Sequence, residues 1–171
     1  MTDFRALVRD VPDFPSPGIL FRDITPLLAD PEAFRAAVFA MAAPYRGLGL
    51  SKVLGIEARG FMFGAAVARE LAVGFVPVRK PGKLPGPTIR ASYGLEYGKD
   101  TLEVHRDACL PGERVIIVDD VLATGGTAEA AASLADSLGA DVVGITFFIE
   151  LEQLKGRARL ASRRLHSVLV L

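Results

Sequence analysis

Val115-Ile116-Ile117-Val118-Asp119-Asp120-Val121-Leu122-Ala123-Thr124-Gly125-Gly126-Thr127 is the stretch whose reading decides the fold. Its four leading apolar residues make a strand buried on both faces, as in a parallel sheet. Asp119 and Asp120 stand at the carboxyl end of that strand, where open α/β sheets bind ligands. Two adjacent acids there are a poor structural choice, because like charges repel and neither belongs in an apolar run. Ala123 to Thr127 then turn into a helix. Small residues let backbone N–H groups approach an anion, the helix N-terminus adds partial positive charge, and two threonine hydroxyls can donate. Carboxylates accept hydrogen bonds from sugar hydroxyls and hold Mg²⁺ directly or through water. The loop thus sets a phosphate cradle beside two sugar-binding acids, and a phosphorylated ribose fits both halves. It is neither a P-loop nor a dinucleotide fingerprint, since Gly-Lys-Ser/Thr and Gly-x-Gly-x-x-Gly are both missing.

Outward from this stretch the chain alternates strand and helix. Lys52 to Ile56 predicts a buried strand, Gly60 to Leu71 a helix, Val73 to Val78 a strand, Arg114 to Asp119 a strand, and Thr127 to Leu138 an alanine-rich helix closed by Gly139. Val142 to Ile149 and Ser167 to Leu171 predict two more strands. The pattern is that of an α/β domain with a central parallel sheet flanked by helices. Asp30-Pro31-Glu32 starts another helix, with a cap, a proline in its first turn and an acid near its positive end. Residues 2–9 predict a short amphipathic helix, and the proline-rich segment 11–18 excludes regular helix and central strand. The interval 79–110 breaks the rhythm. It begins as loop and continues as two β-like runs around a hairpin turn at Tyr97-Gly98-Lys99-Asp100. A long loop in a compact α/β domain is usually a functional lid or a mobile segment.

The chain has 171 residues, room for one domain. Twenty basic and twenty acidic side chains balance to zero, which argues against a duplex-DNA coat or a polybasic membrane binder. No apolar run reaches the ~18 residues of a membrane span. Met1-Thr2-Asp3-Phe4-Arg5 shows no basic stretch followed by an apolar core, so no signal peptide is expected. The single cysteine, Cys109, allows no internal disulfide and fits a reducing cytoplasm. His105 and His166 match no zinc pattern. The basic run of Lys155, Arg157, Arg159, Arg163 and Arg164 reads as solvated charge near a helix end, with RNA contact as the alternative.

Residues 115–127 resemble the phosphoribosyl-pyrophosphate motif of type I phosphoribosyltransferases. Phe14-Pro15-Ser16-Pro17-Gly18-Ile19-Leu20-Phe21-Arg22-Asp23-Ile24 resembles the base-binding segment of the adenine-specific members. Gly55-Ile56-Glu57-Ala58-Arg59-Gly60-Phe61 is similar to their pyrophosphate loop. Arg79-Lys80-Pro81-Gly82-Lys83-Leu84-Pro85 and Ala91-Ser92-Tyr93-Gly94-Leu95-Glu96-Tyr97-Gly98 are similar to their mobile catalytic loop.

The resemblance implies a single domain over 1–171, with an N-terminal base-binding hood at 1–30 and a mobile catalytic hairpin at 79–105. The implied reaction takes adenine and 5-phosphoribosyl pyrophosphate to AMP and pyrophosphate, as purine salvage. Implied for ribose and 5′-phosphate are Asp119, Asp120, Ala123, Thr124, Gly125, Gly126 and Thr127. Mg²⁺ would bind with the substrate at Asp119 and Asp120. Glu57, Ala58, Arg59, Arg79, Lys80 and Lys83 are implied for pyrophosphate, with a non-proline cis peptide between Glu57 and Ala58. Ile19, Leu20, Phe21 and Arg22 are implied for adenine, Phe21 being either a stacking ring or an ordinary core aromatic. Glu96, Tyr97 and Arg59 are the implied catalytic residues. The 79–83 region is implied to act partly across a homodimer interface. A transferase for hypoxanthine, guanine or xanthine is the nearest alternative. A regulator that senses phosphoribosyl pyrophosphate without catalysis is another, disfavoured because no helix-turn-helix element accompanies the domain.

Overall fold

A computed structural model of the chain describes residues 2–95 and 98–171. Its centre is a parallel sheet of five strands: β3 (Lys52–Ile56), β4 (Gly74–Val78), β7 (Arg114–Leu122), β8 (Asp141–Glu150) and β9 (Leu165–Val170). They lie side by side in the order β4-β3-β7-β8-β9. Alternation along β7 sends Val115 and Ile117 to one face and Ile116 and Val118 to the other. On the first face they meet Leu54, Phe147 and the alanines of helix α4 (Gly126–Ser137). On the second they meet α2 (Pro31–Ala42) and α3 (Gly60–Leu71), where Phe63 stacks on Phe148 at 5.4 Å. Both faces are therefore dry, which explains strands of near-continuous apolar residues.

Helix α3 approaches β3 closely because two glycines face each other. A Cβ on Gly64 would lie 3.1 Å from the Gly55 Cα, and one on Gly55 would strike the Phe75 ring at 2.5 Å. This contact seats the β3–α3 loop, residues 57–59, directly above the strand ends. Asp30 caps α2 as expected, accepting from the Glu32 and Ala33 N–H groups at 3.0 Å each.

The N-terminal segment differs from its expected form. Residues 2–9 make only a single 3₁₀ turn, Arg5–Leu7, before strand β1 (Arg9–Pro12). Asp3 caps that turn, but β1 pairs antiparallel with β2 (Leu20–Asp23), and strand pairing wins over helix extension. Pro12 ends β1 in this two-stranded edge sheet, a place where proline is tolerated. A short helix, α1 (Thr25–Ala29), was not foreseen either.

The 79–110 interval holds a longer hairpin than expected, β5 (Thr88–Leu95) with β6 (Gly98–His105). Leu95 pairs with Gly98, so Gly98 to Asp100 belong to the strand and not to the turn. The reason lies at Asp100, whose carboxylate is held by Lys80 and by the Tyr93 hydroxyl across the hairpin. No helix among the described residues is long and apolar enough to cross a membrane.

Candidate active site

The carboxyl ends of β3 and β7 open into a cavity of about 790 Å³ beneath the β1–β2 hairpin. Three separated stretches of chain supply most of its lining. From the hairpin come Ile19, Leu20, Phe21 and Arg22. The Phe21 ring meets Phe14 edge-on at 5.1 Å and carries the Arg59 guanidinium 4.9 Å from its centroid. Arg22 lines the cavity while pairing with Asp10, which also takes Arg5.

From the β3–α3 loop come Glu57, Ala58 and Arg59, and the Glu57–Ala58 peptide is cis. Arg59 Nε lies 2.8 Å from Asp120 Oδ2. The approach is poorly aligned, and this oxygen, although buried, accepts no hydrogen bond. Arg59 thus spans the cavity from Phe21 to the acids of β7.

From β7 and its loop come Asp119, Asp120, Ala123, Thr124 and Thr127. Both carboxylates are more than nine-tenths buried, and Asp119 Oδ1 accepts the Asp120 N–H at 2.9 Å. Burial pushes the Asp119 carboxyl well above the usual carboxylate range, and the neighbouring Asp120 charge pushes it further. Two acids crowded in this way are poised for an electropositive or hydroxyl-bearing guest. Gly125 borders an adjoining recess of about 50 Å³ with Thr124 and Thr127, and Gly126 opens α4 behind it. Gly125 has φ of 85°, a conformation that glycine alone adopts freely.

Lys80 also reaches the cavity, its ammonium held by Asp100 and by the Tyr93 hydroxyl at 3.3 Å. Burial would lower the Lys80 pKa, but these partners outweigh it and raise it. Arg79 and Lys83 do not line the cavity. Both hold Glu57 instead: Lys83 Nζ donates at 2.6 Å, Arg79 Nε and Nη2 at 3.2 and 3.3 Å, and the Lys80 N–H at 2.9 Å. Burial works against ionisation of Glu57, yet Lys83, Lys80 and Arg79 together bring its pKa down to about 2. Arg90 is likewise spent, 2.5 Å from the buried Glu103. Glu96 and Tyr97 lie outside the described residues.

Sequence reasoning missed Tyr93 as a wall, and also Leu151, Gln153, Leu154 and Leu171 from the C-terminal segment. Lys155, Arg157, Arg159 and Arg164 are exposed, as expected of solvated charge, but the arginines also have partners. Arg157 holds Glu150, Arg159 holds Glu129, Arg163 holds Asp136, and Arg164 donates to the Pro44 carbonyl at 3.0 Å and stacks on Tyr45. Those acids sit seven to 30 residues away in the chain, so the pairing had no local signal. His105 Nε2 donates to the Pro85 carbonyl at 2.7 Å, and Cys109 is buried.

Among the described residues no three His, Cys, Asp or Glu side chains gather to cage a metal. Asp119 and Asp120 alone offer two hard oxygen donors, one of them an acceptor left without a hydrogen bond. That donor set suits a cation that keeps waters and takes its other ligands from a phosphorylated substrate.

Known proteins of one family resemble the chain over nearly its whole length. The phosphoribosyl transferase domain family matches residues 32–166. A protein of Methylococcus capsulatus called adenine phosphoribosyltransferase is 57% identical over 169 residues, 99% of each chain. The crystal structure of adenine phosphoribosyltransferase from Rhodothermus marinus superposes with a TM-score of 0.94 at 54% identity, covering 98% of this chain and 96% of that one. The Saccharomyces cerevisiae enzyme, complexed with an imino-altritol bisphosphate and adenine, gives a TM-score of 0.88 at 40% identity over 98% and 97% of the two chains.

Proposed function

The chain belongs to the adenine phosphoribosyltransferases, a branch of the phosphoribosyl transferase domain family, and from this we infer its reaction. It transfers the phosphoribosyl group of 5-phosphoribosyl pyrophosphate to adenine, giving AMP and pyrophosphate. The bond from ribose C1 to the pyrophosphate oxygen breaks, one from C1 to adenine N9 forms, and adenine gives up the N9 proton. The observation that carries this reading is the single cavity that joins Phe21, the Asp119–Asp120 pair and the Thr124–Thr127 turn.

Each wall has a task set by its chemistry. The Ala123–Thr127 turn receives the 5′-phosphate on backbone N–H groups and the N-terminus of α4. Asp119 and Asp120 accept hydrogen bonds from the ribose hydroxyls, which supplies the donors that Asp120 Oδ2 lacks. Arg59 and Lys80 meet the charge that grows on the leaving pyrophosphate, where preorganised cations are most effective. Ile19 to Arg22 present backbone C=O and N–H groups to adenine, whose N6 donates and N1 accepts. Hypoxanthine has the opposite polarity at those positions and leaves both backbone groups unpaired. Phe21 offers its ring face to the base.

Four further parts of the reading are proposals. Asp119 and Asp120 would hold a Mg²⁺ ion that comes with the substrate, and it would supply neutralisation of phosphate charge. Glu96 serves as the acid or base near the purine, and Tyr97 closes the lid. The protein works as a homodimer; support comes from the exposed Met62 on α3 and Phe75 on β4. The setting is a reducing cytoplasm, in keeping with one buried thiol.

The test is a base panel. The protein is incubated with phosphoribosyl pyrophosphate and Mg²⁺, and adenine, hypoxanthine, guanine, xanthine and uracil are offered separately. AMP from adenine alone is the expected result. Another nucleotide would keep the phosphoribosyl site and overturn the reading of residues 19–22. No product, with phosphoribosyl pyrophosphate still bound, would point to a sensor.

A further inference from the structure

We infer that the basic segment 151–159 is the brace that sets the phosphate loop 123–126, with Arg157 and Arg159 as positioning residues for the ribose 5-phosphate end of the substrate. The inference rests on the assignment of that loop to the 5′-phosphate.

The segment lies directly against the loop, backbone to backbone. Gly156 is buried at the start of α5 (Gly156–Arg159), and its carbonyl oxygen would sit 2.8 Å from a Cβ at Gly125. A Cβ at Gly156 itself would lie 3.0 Å from the Gly125 nitrogen and would run into the Ala123 carbonyl. Nothing but hydrogen fits on either side, so the height of the loop is set by the backbone beneath it.

Three ties hold the segment there. At its start the Leu151 N–H donates to the Leu122 carbonyl at 2.9 Å, at the end of β7. In its middle Arg157 donates twice to Glu150 of β8, at 2.9 and 2.5 Å, and Ser167 adds a third bond to the same buried carboxylate at 2.7 Å. At its end Arg159 Nε donates at 2.6 Å to Glu129 in the first turn of α4. One arginine thus anchors the segment to the sheet and the other to the helix, and the phosphate loop connects the two. Bidentate arginine–carboxylate pairing fixes angle as well as distance. A nucleic-acid patch would require these cations to be free. Here their charge is already satisfied by acids of the same chain.

Placement of a phosphate cradle matters because an error of about 1 Å in a bound group costs on the order of 10²-fold. The test uses the full-length enzyme and two ligands, ribose 5-phosphate and pyrophosphate, titrated separately by calorimetry. Gly156→Ala and Arg157→Ala should weaken ribose 5-phosphate by about tenfold or more, with pyrophosphate within about twofold of wild type. Arg157→Lys should recover part of the loss. Arg159→Gln removes an exposed pair and should fold regardless; it should shift ribose 5-phosphate in the same direction by about threefold. Equal weakening of both ligands would reduce the segment to general structural support and overturn the brace. Unchanged ribose 5-phosphate affinity in all variants would overturn it too. Wild-type protein that binds pyrophosphate but no ribose 5-phosphate would instead overturn the assignment of the loop, and the brace with it.

Discussion

Glu57 gathers the cationic loop, taking Lys83, Arg79 and the Lys80 N–H on one carboxylate. Those partners bring its pKa from an ordinary 4.5 to about 2. A depressed folded pKa means that the ionised group stabilises the fold above about pH 4.5, and that this contribution fades as the pH falls towards 2. Glu57→Gln should therefore melt below wild type at pH 7, and the gap should narrow steadily between pH 5 and pH 3. Circular dichroism melts across that range test it; a gap independent of pH would mean that the charge of Glu57 is not what holds the loop. The acids at 119 and 120 could be recognised from their neighbours alone, since two carboxylates ending an apolar strand have few structural uses. The environment of Glu57 could not. Its partners come from positions 79–83, brought over only when β4 docks beside β3.

Helix α2 shows how far local chemistry reaches. Asp30-Pro31-Glu32 marks its start from sequence, and the cap is made by the bonds that such a residue always offers. Asp30→Ala should cost about 1 kcal/mol, and the melting temperature should fall by roughly 2–4 °C. The helix packs on the sheet face away from the phosphate turn, so kcat and KM should stay unchanged; a rise in KM would show that α2 communicates with the site. Where local signals compete, sequence reading failed. Residues 2–9 have the apolar spacing of a helix, yet the backbone of Arg9 to Pro12 is claimed by β2. The end of the 88–105 hairpin was misplaced for the same reason, because Gly98-Lys99-Asp100 has turn composition but Asp100 is fixed by Lys80 from outside the hairpin.

The molecule as a whole brings widely separated segments of chain to one cavity at the end of a parallel sheet. A ligand that binds only this assembled state stabilises it by mass action. At 100 times its dissociation constant, phosphoribosyl pyrophosphate should add about 2.7 kcal/mol, or roughly 5–10 °C at 2–4 °C per kcal/mol for a domain of this size. Asp120→Asn at the same ligand concentration should show a distinctly smaller rise in a thermal shift assay. An undiminished rise would remove Asp120 from the ribose site. Strand and helix order, the buried sheet, the acid pair at a strand end and the glycine turn into α4 were all legible in the linear chain, because each depends on periodicity, capping or turn chemistry within a few residues. Tertiary structure alone decided that Arg59 bridges Phe21 and Asp120, that Lys80 faces the cavity while Arg79 and Lys83 hold Glu57, and that the C-terminal arginines clamp Glu150 and Glu129. Those pairings join charges far apart in sequence, and a charge carries no local mark of the partner that folding will bring to it.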